Sequence, residues 1–509
     1  MARRDNAVTT HRPWLHRVSQ DGHTVARSLF PLLGLAAGRR REHKRRSMKI
    51  RIQPFVFSMM VLALLVGLMA TARSDEDDWP MFGHDPLGTR HNTGERRLGP
   101  HNVAKLQILW RFSTPAVVAG TPAVVGNAVF DGDAAGTIYA LKANDGRLLW
   151  KMIVPGASFT ASPIVLRGRV VLSSKSNGVI YGLDRDTGAV RWQIEPNAFG
   201  RPAIWGSGTQ VGKFVAIGVA SNDEGPPPPF VSRGSLVLLD PQNGRVIWQT
   251  FMISDAQAAA GSSGVSIWTT PVFDVESNTI YAGTGNNFTE PATNNSDAIV
   301  AFDARTGAIK WVNQRTVNDT WTPVFPTGPD FDFGDSPQLY RLPDGRKVVG
   351  DGQKSGFYHV LDAATGEVIH FQQFLPGSTL GGLYTDSAVA NGIVFAPGND
   401  QTVSPPRSVL IAMTGDGTTE LWRFETTGLE ANGVAVANDV IYFKPSSDPN
   451  LYAFDATGNK LAAIAVGGSN SGMAVARGRV FLGLGDVFSN GFNFNAPGGI
   501  VALGLRSDE

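Results

Sequence analysis

The sequence predicts an all-β chain, an eight-bladed β-propeller with four-stranded antiparallel blades, whose N- and C-terminal strands share one blade. Three observations predict it. One strand-turn-strand unit recurs: GTIYALKANDGRLLW (136–150), GVIYGLDRDTGAVRW (178–192), GSLVLLDPQNGRVIW (234–248), DAIVAFDARTGAIKW (297–311) and GFYHVLDAATGEVIH (356–370). A last unit, GGIVALGL (498–505), stops before its turn. The 58 glycines and 31 prolines, scattered among β-branched and aromatic residues, suit short strands and tight turns better than long helices.

Taken in chain order, residues 1–47 form a basic extension that includes Arg39, Arg40, Arg41, Lys44, Arg45 and Arg46. Met48 then opens a basic start, an apolar stretch through Phe55 to Met69, and Ala70-Thr71-Ala72. That is the layout of a cleavable secretory signal peptide over 48–72. We expect translation to begin at Met48, residues 1–47 to be an upstream extension, and the mature chain to be periplasmic or secreted, with no stable membrane span after cleavage. A single propeller domain is expected over 75–509.

Within that domain each repeat has an alternating strand, a turn of the Asp-x-x-Thr/Asn-Gly type and a second strand ending at Trp150, Trp192, Trp248 or Trp311. Upstream of most units lies a further strand pair, as in TPAVVGNAVFDG (121–132), ASPIVLRGRVVLSS (161–174) and SGMAVARGRVFLGLG (471–485). Four strands per repeat make one propeller blade. SVLIAMTGDGTTELW (408–422) and LYAFDATGNKLA (451–462) are weaker copies. ILWRF (108–112) has a closing-strand Trp110 but no hairpin of its own, so it supplies the strand that 498–505 lacks. The split blade and seven others make eight, and joining first strand to last removes the open sheet edges. The repeated tryptophans are read as packing between neighbouring blades.

Composition narrows the function. The net charge is +1 and much of the positive charge lies in the first fifty residues, which leaves no basic face for nucleic acid. With no cysteine there is no disulfide framework, thiolate metal site or C-x-x-C-H haem attachment.

A ring of blades leaves a central channel, so polar residues that interrupt the repeat near the innermost strands are the candidates for chemistry. They are Glu224 in VASNDEG, Ser266 and Trp268 in GVSIW, Asn286 in GTGN, Asp319 in VNDTW and Lys354 in GQKSG. Glu224, Asn286 and Asp319 carry hard oxygen donors suited to Ca²⁺ or Mg²⁺, and a carboxylate beside such an ion can serve as a general base. Trp268 is suited to stacking on a flat ligand or to plugging the channel. Loop acids and amides also cap turns.

The order of these motifs resembles the pyrroloquinoline-quinone (PQQ) dependent quinoprotein alcohol dehydrogenases over nearly the whole chain after the signal segment. WPMFGHDPLGTRHNTGE (79–95) and NVAKLQILW (102–110) are similar to that family's opening segment, and GPDFDFGDSPQL (328–339) with GQKSGFYHVLDAATG (352–366) most resembles the polyvinyl-alcohol dehydrogenase branch. The resemblance implies that Glu224, Asn286 and Asp319 hold Ca²⁺ and that Asp319 takes the hydroxyl proton as hydride passes to PQQ. It also implies that Lys354 hydrogen-bonds the quinone oxygens, Trp268 lies against the ring plane and Ser266 meets a PQQ carboxylate. The substrate implied is a secondary alcohol, diol or hydroxylated polymer, and the electrons would leave through a separate acceptor, a periplasmic cytochrome c.

The sequence departs from the family pattern in three places. The adjacent cysteine pair is missing, the corresponding FTASPIV (159–165) also lacks an arginine found in many relatives, and GGLYTDSAV (381–389) has Thr385 and Asp386 where a tryptophan-containing run is expected. The alternative from another class is a non-catalytic propeller that scaffolds envelope-protein assembly.

Overall fold

The structure is a computed structural model that describes residues 77–506 apart from 198, 226, 227, 431 and 490. The basic extension 1–47 and the signal segment 48–72 lie outside the described residues. So does the whole of the unit Met1–Ala63, while Leu64–Glu509 holds every element below.

Eight antiparallel sheets follow one another around a ring. Blade 1 is formed by Ala123–Val125, Ala128–Gly132, Thr137–Lys142 and Leu148–Ile153. Blades 2 to 7 span 164–194, 202–251, 272–314, 338–373, 388–427 and 435–465. Blade 8 takes Met473–Ala476, Arg479–Leu484 and Gly498–Gly504 from the end of the chain and Gln107–Thr114 from its beginning. Gln107 pairs with Gly504 and Thr114 with Gly498, so the expected split blade closes the ring. Among the described residues no helix is long and apolar enough to cross a membrane.

Middle strands such as Ser235–Leu239 are buried at every position, because neighbouring blades cover both faces of each sheet. Outer strands such as Glu420–Thr427 alternate between half-buried and exposed. The repeated tryptophans join these layers. The indole N–H groups of Trp110, Trp150, Trp192, Trp248, Trp311 and Trp422 donate to the carbonyls of Ala143, Arg185, Pro241, Ala304, Ala363 and Ala456, each in the next blade. Each ring also lies on the turn glycine of that blade. At Gly146 (φ +70°) a Cβ would stand 2.6 Å from the Trp110 ring, so both the left-handed backbone and the close approach require glycine.

Because strands alternate in direction, blade-to-blade crossings and second-to-third-strand connectors emerge on one face of the ring. The Asp-x-x-Thr-Gly turns emerge on the other. Residues 79–92 run around that second face and bond to the inner strand of every blade except the third. Trp79 exchanges two bonds with Val124, the carbonyls of Pro80, Pro86, Leu87, Thr89 and Arg90 accept from Val165, Phe273, Leu339, Val389 and Val436, and Asn92 donates to Val475. The repeats do not predict this inner belt. It adds a fifth strand, His91–Asn92, parallel to Ala435–Ala437 in blade 7.

Candidate active site

The channel face carries two adjoining cavities that share Trp205, Trp268, Leu380 and Tyr384 in their walls. The smaller, about 270 Å³, is lined by Glu224, Ser266, Trp268, Asn286 and Lys354. Five of the six candidate residues therefore meet in one chamber. They arrive from blades 3 to 5: Glu224 and Asn286 on second-to-third-strand connectors, Ser266 and Trp268 on the crossing into blade 4, and Lys354 on the blade 5 connector.

Asp319 is fully buried but absent from the lining of both cavities. Its carboxylate accepts from the backbone N–H groups of Asp330 (3.3 Å) and Phe331 (2.8 Å). A Cβ at Gly328 would collide with Asp319 Oδ1, so glycine is what lets that loop close over the carboxylate. The acids that reach the chamber are Asp330 and Asp332, which sequence reasoning passed over. They lie in the quoted GPDFDFG run, and the missed signal is a pair of acids two residues apart in a segment that belongs to no repeat.

Lys354 Nζ bridges these two acids, 2.8 Å from Asp330 Oδ1 and 3.0 Å from Asp332 Oδ2. Asp332 Oδ1 accepts from the backbone N–H of Asn286 (2.7 Å), which occupies both its oxygens. The Asn286 side chain donates to the carbonyls of Asn287 and Trp321 (2.6 and 2.7 Å), and this orientation leaves Oδ1 as its remaining acceptor. Neither Asn286 Oδ1, Asp330 Oδ2 nor the Glu224 carboxylate has a hydrogen bond among the described residues.

Burial pushes Glu224 up to about 7, helped by Asp332 and opposed by Lys354. Burial, then the charge of Asp332, pushes Asp330 up to about 8 against the pull of Lys354. Burial alone would lower the Lys354 amine, but Asp332 and Asp330 outweigh it and hold the pKa above the usual lysine range. Burial also raises Asp319. Uncompensated oxygen donors that resist ionisation in a closed space have the chemistry of a hard-cation site. No cluster of three carboxylate or imidazole side chains with metal-ligating geometry occurs among the described residues.

The larger cavity, about 370 Å³, has a different floor. The hydroxyls of Thr160, Thr269 and Thr385 and Nε1 of Trp268 line it and are buried without a hydrogen-bond partner. Such donors are costly to bury unsatisfied, and together they fit a flat, acceptor-rich ligand lying on Trp268. Thr160 lies in FTASPIV and Thr385 in GGLYTDSAV, so two of the departures from the family pattern supply polar groups here. Arg90 packs behind Gly433 and Gly472 of this wall. It donates to the carbonyls of Val434 (2.6 Å) and Phe82 (3.2 Å), and burial lowers its pKa against the charges of Asp386 and Asp335.

A family model, PQQ_2, described as outer membrane protein assembly factor BamB, matches residues 102–372. A polyvinylalcohol dehydrogenase from Pseudomonas sp is 31% identical over 342 residues, covering 61% of this chain and 53% of the relative. One from Sphingopyxis sp. (strain 113P3) is 29% identical over 338 residues, covering 59% and 51%. The chain thus spans about half the length of these relatives. Among solved structures, the quinohemoprotein alcohol dehydrogenase ADHIIG from Pseudomonas putida HK5 superposes with a TM-score of 0.73 at 19% identity, covering 86% of this chain and 81% of that one. BamB from Moraxella catarrhalis gives 0.52 at 15%, covering 80% and 99%. At these identities the structural likeness shows the fold alone.

Proposed function

The chain belongs to the PQQ_2 propeller family, and from that premise we propose that its channel oxidises an alcohol with PQQ and Ca²⁺ as cofactors. The observation that carries this reading is the meeting of Glu224, Asn286, Asp330, Asp332 and Lys354 in one chamber beside Trp268. The proposal extends to a secondary alcohol, diol or hydroxylated polymer as substrate, a periplasmic or secreted setting after cleavage of 48–72, and a separate cytochrome c as electron acceptor. When bound, PQQ supplies the two-electron acceptor that no side chain of this protein can provide.

The chain's own residues hold, orient and deprotonate. Glu224 and Asn286 Oδ1 would offer oxygens to Ca²⁺ beside the Asp330 carboxylate. Trp268 provides a flat surface for the ring system, and Ser266 with the unpaired hydroxyls of Thr160, Thr269 and Thr385 offers donors to carboxylates. Lys354, held by Asp330 and Asp332, would supply an N–H donor to the quinone. We assign the base to Asp330 rather than to Asp319, because Asp330 lines the chamber with Oδ2 unbonded and Asp319 is engaged by backbone amides. Asp319 then acts on the chemistry by fixing the 328–332 loop.

The second reading is a non-catalytic scaffold in envelope-protein assembly, favoured by the description of the matching family model. A scaffold has no use for buried unpaired donors around an acid-lined chamber. The deciding experiment is reconstitution of the purified chain with PQQ and Ca²⁺, followed by dye-linked oxidation of an alcohol panel. We expect PQQ to be retained at micromolar concentration and secondary alcohols to be turned over; failure to retain PQQ would overturn the enzyme reading.

A further inference from the structure

Among the described residues the Glu224 carboxylate makes no hydrogen bond, so its place in the chamber is set by the backbone that carries it. The neighbouring Asp223, only 1% exposed, is the hub of that backbone. Its Oδ1 accepts from the backbone N–H (2.8 Å) and the Nε–H (3.1 Å) of Arg201. Its Oδ2 accepts from the N–H groups of Val231 (3.1 Å) and Ser232 (3.0 Å). One buried carboxylate thus ties the far end of the blade 3 connector back to the residue before Glu224. The Asp223 N–H donates to Ser221 Oγ (2.9 Å), which donates in turn to Ser232 Oγ (2.8 Å).

Arg201 holds the other side. Its segment is fixed by the pairing of Pro202 and Ala203 with Ser221 and Ala220, and its carbonyl accepts from Asn222 N–H (2.8 Å). Its Nη2 donates to the carbonyls of Asp223 (3.2 Å) and Gly225, so one guanidinium group grips the peptide before and after Glu224. A Cβ at Gly200 (φ +63°) would collide with Asp223 Oδ2, and glycine is what lets this segment approach the hub. The charge of Arg201 repels a cation in the chamber, but its side chain is 44% exposed and water screens that repulsion. The grip acts through direct bonds and spares an arriving cation the cost of ordering the loop.

We propose that Arg201 and Asp223 form a latch that presents Glu224 to the cation, a role that rests on the reading of the chamber as a Ca²⁺ site. Neither residue lines the chamber. Both are positioning residues that act through Glu224.

The test is calorimetric titration of Ca²⁺ into the cofactor-free full chain, with PQQ-dependent dye reduction measured in parallel. Arg201→Gln should weaken Ca²⁺ binding about tenfold, as for loss of a partner that orients a metal ligand. Removing a repelling charge alone would tighten binding, so the direction of the change separates grip from charge. Arg201→Lys keeps the charge but loses the planar fork, and should weaken binding about fivefold or more. In a Glu224→Gln background, Arg201→Gln should change Ca²⁺ affinity by less than about twofold, because the two residues act as one unit; general loosening of the chamber would repeat the full loss. Asp223→Asn keeps the shape of the hub, should show the same loss, and replaces Arg201→Gln should that variant fail to fold. Ca²⁺ binding left unchanged or tightened in the latch variants, or a full loss repeated on top of Glu224→Gln, would overturn the latch alone. No Ca²⁺ binding by the wild type would overturn the latch together with the Ca²⁺ reading. The expected binding pattern without dye reduction would support the latch and count against oxidation alone.

Discussion

A carboxylate that already accepts two backbone N–H bonds has little left to offer a substrate, whereas one with an unbonded oxygen in a cavity does. Asp319 is the first kind and Asp330 the second. Asp330→Asn should therefore fold, keep much of its PQQ uptake and lose about 10²–10⁴-fold in kcat, the usual worth of a positioned base. Asp319→Asn should lose less, because an amide can still accept one of the two loop N–H bonds. Equal losses in the two variants would return the base to an open question. The same chamber predicts a pH dependence. Glu224 and Asp330 are raised to about 7 and about 8, so near neutral pH both retain protons that a cation must displace. Ca²⁺ affinity of the cofactor-free chain, measured by calorimetry, should rise from pH 6 to about pH 9 and level off above; a flat profile would separate these two acids from the cation. At this scale the sequence is partly legible. Glu224, Ser266, Trp268, Asn286 and Lys354 announce themselves by interrupting a repeat, but the 315–337 stretch contains no repeat to interrupt. Which of its acids points inward depends on a loop folded over Asp319, and no spacing rule encodes that.

Six of the eight blades are joined to the next by one recurring device, the outer-strand tryptophan seated on the next blade's turn glycine. Its repetition is what makes the blades readable, since ring, turn and strand alternation recur together. The outer strands of blades 5 and 7 carry His370 and Ala462 at that position, and among the described residues no indole N–H reaches across from either to the next blade. Trp192 is a representative joint, nearly buried and bonded to Pro241 (2.9 Å). Trp192→Ala should cost about 3–5 kcal/mol, the range for emptying a large aromatic site, as read by urea denaturation. Gly146→Ala should also destabilise, because its backbone is left-handed and the Trp110 ring fills the space a methyl group needs. Neither change touches the chamber, so PQQ uptake per folded molecule should be unaltered. The belt at 79–92 is illegible for the opposite reason. It bonds mainly through backbone carbonyls, which any side chain permits, so its path leaves no periodic pattern.

Closure of the whole ring depends on two contributions from the start of the domain that differ in kind. Gln107–Thr114 completes blade 8 by a strand ladder running from the Gln107–Gly504 pair to the Thr114–Gly498 pair, and its removal would leave Gly498–Gly504 as an exposed edge open to pairing with other chains. The belt completes no blade, yet it contacts seven of the eight inner strands and so couples blades that are not neighbours. Propeller blades that met only their neighbours would be free to unfold piecewise, as in repeat proteins with nearest-neighbour stability. A belt that spans the ring makes local loss of one blade costly to the others. A chain beginning at Val103 should therefore keep all eight blades but unfold in more than one step, with a lower urea midpoint and a reduced m-value for the first transition. A chain beginning at Pro115 loses both contributions and should expand or associate, visible as a larger radius in small-angle scattering. A single, unshifted transition for the chain beginning at Val103 would show that neighbour packing through the tryptophans is enough to hold the ring together.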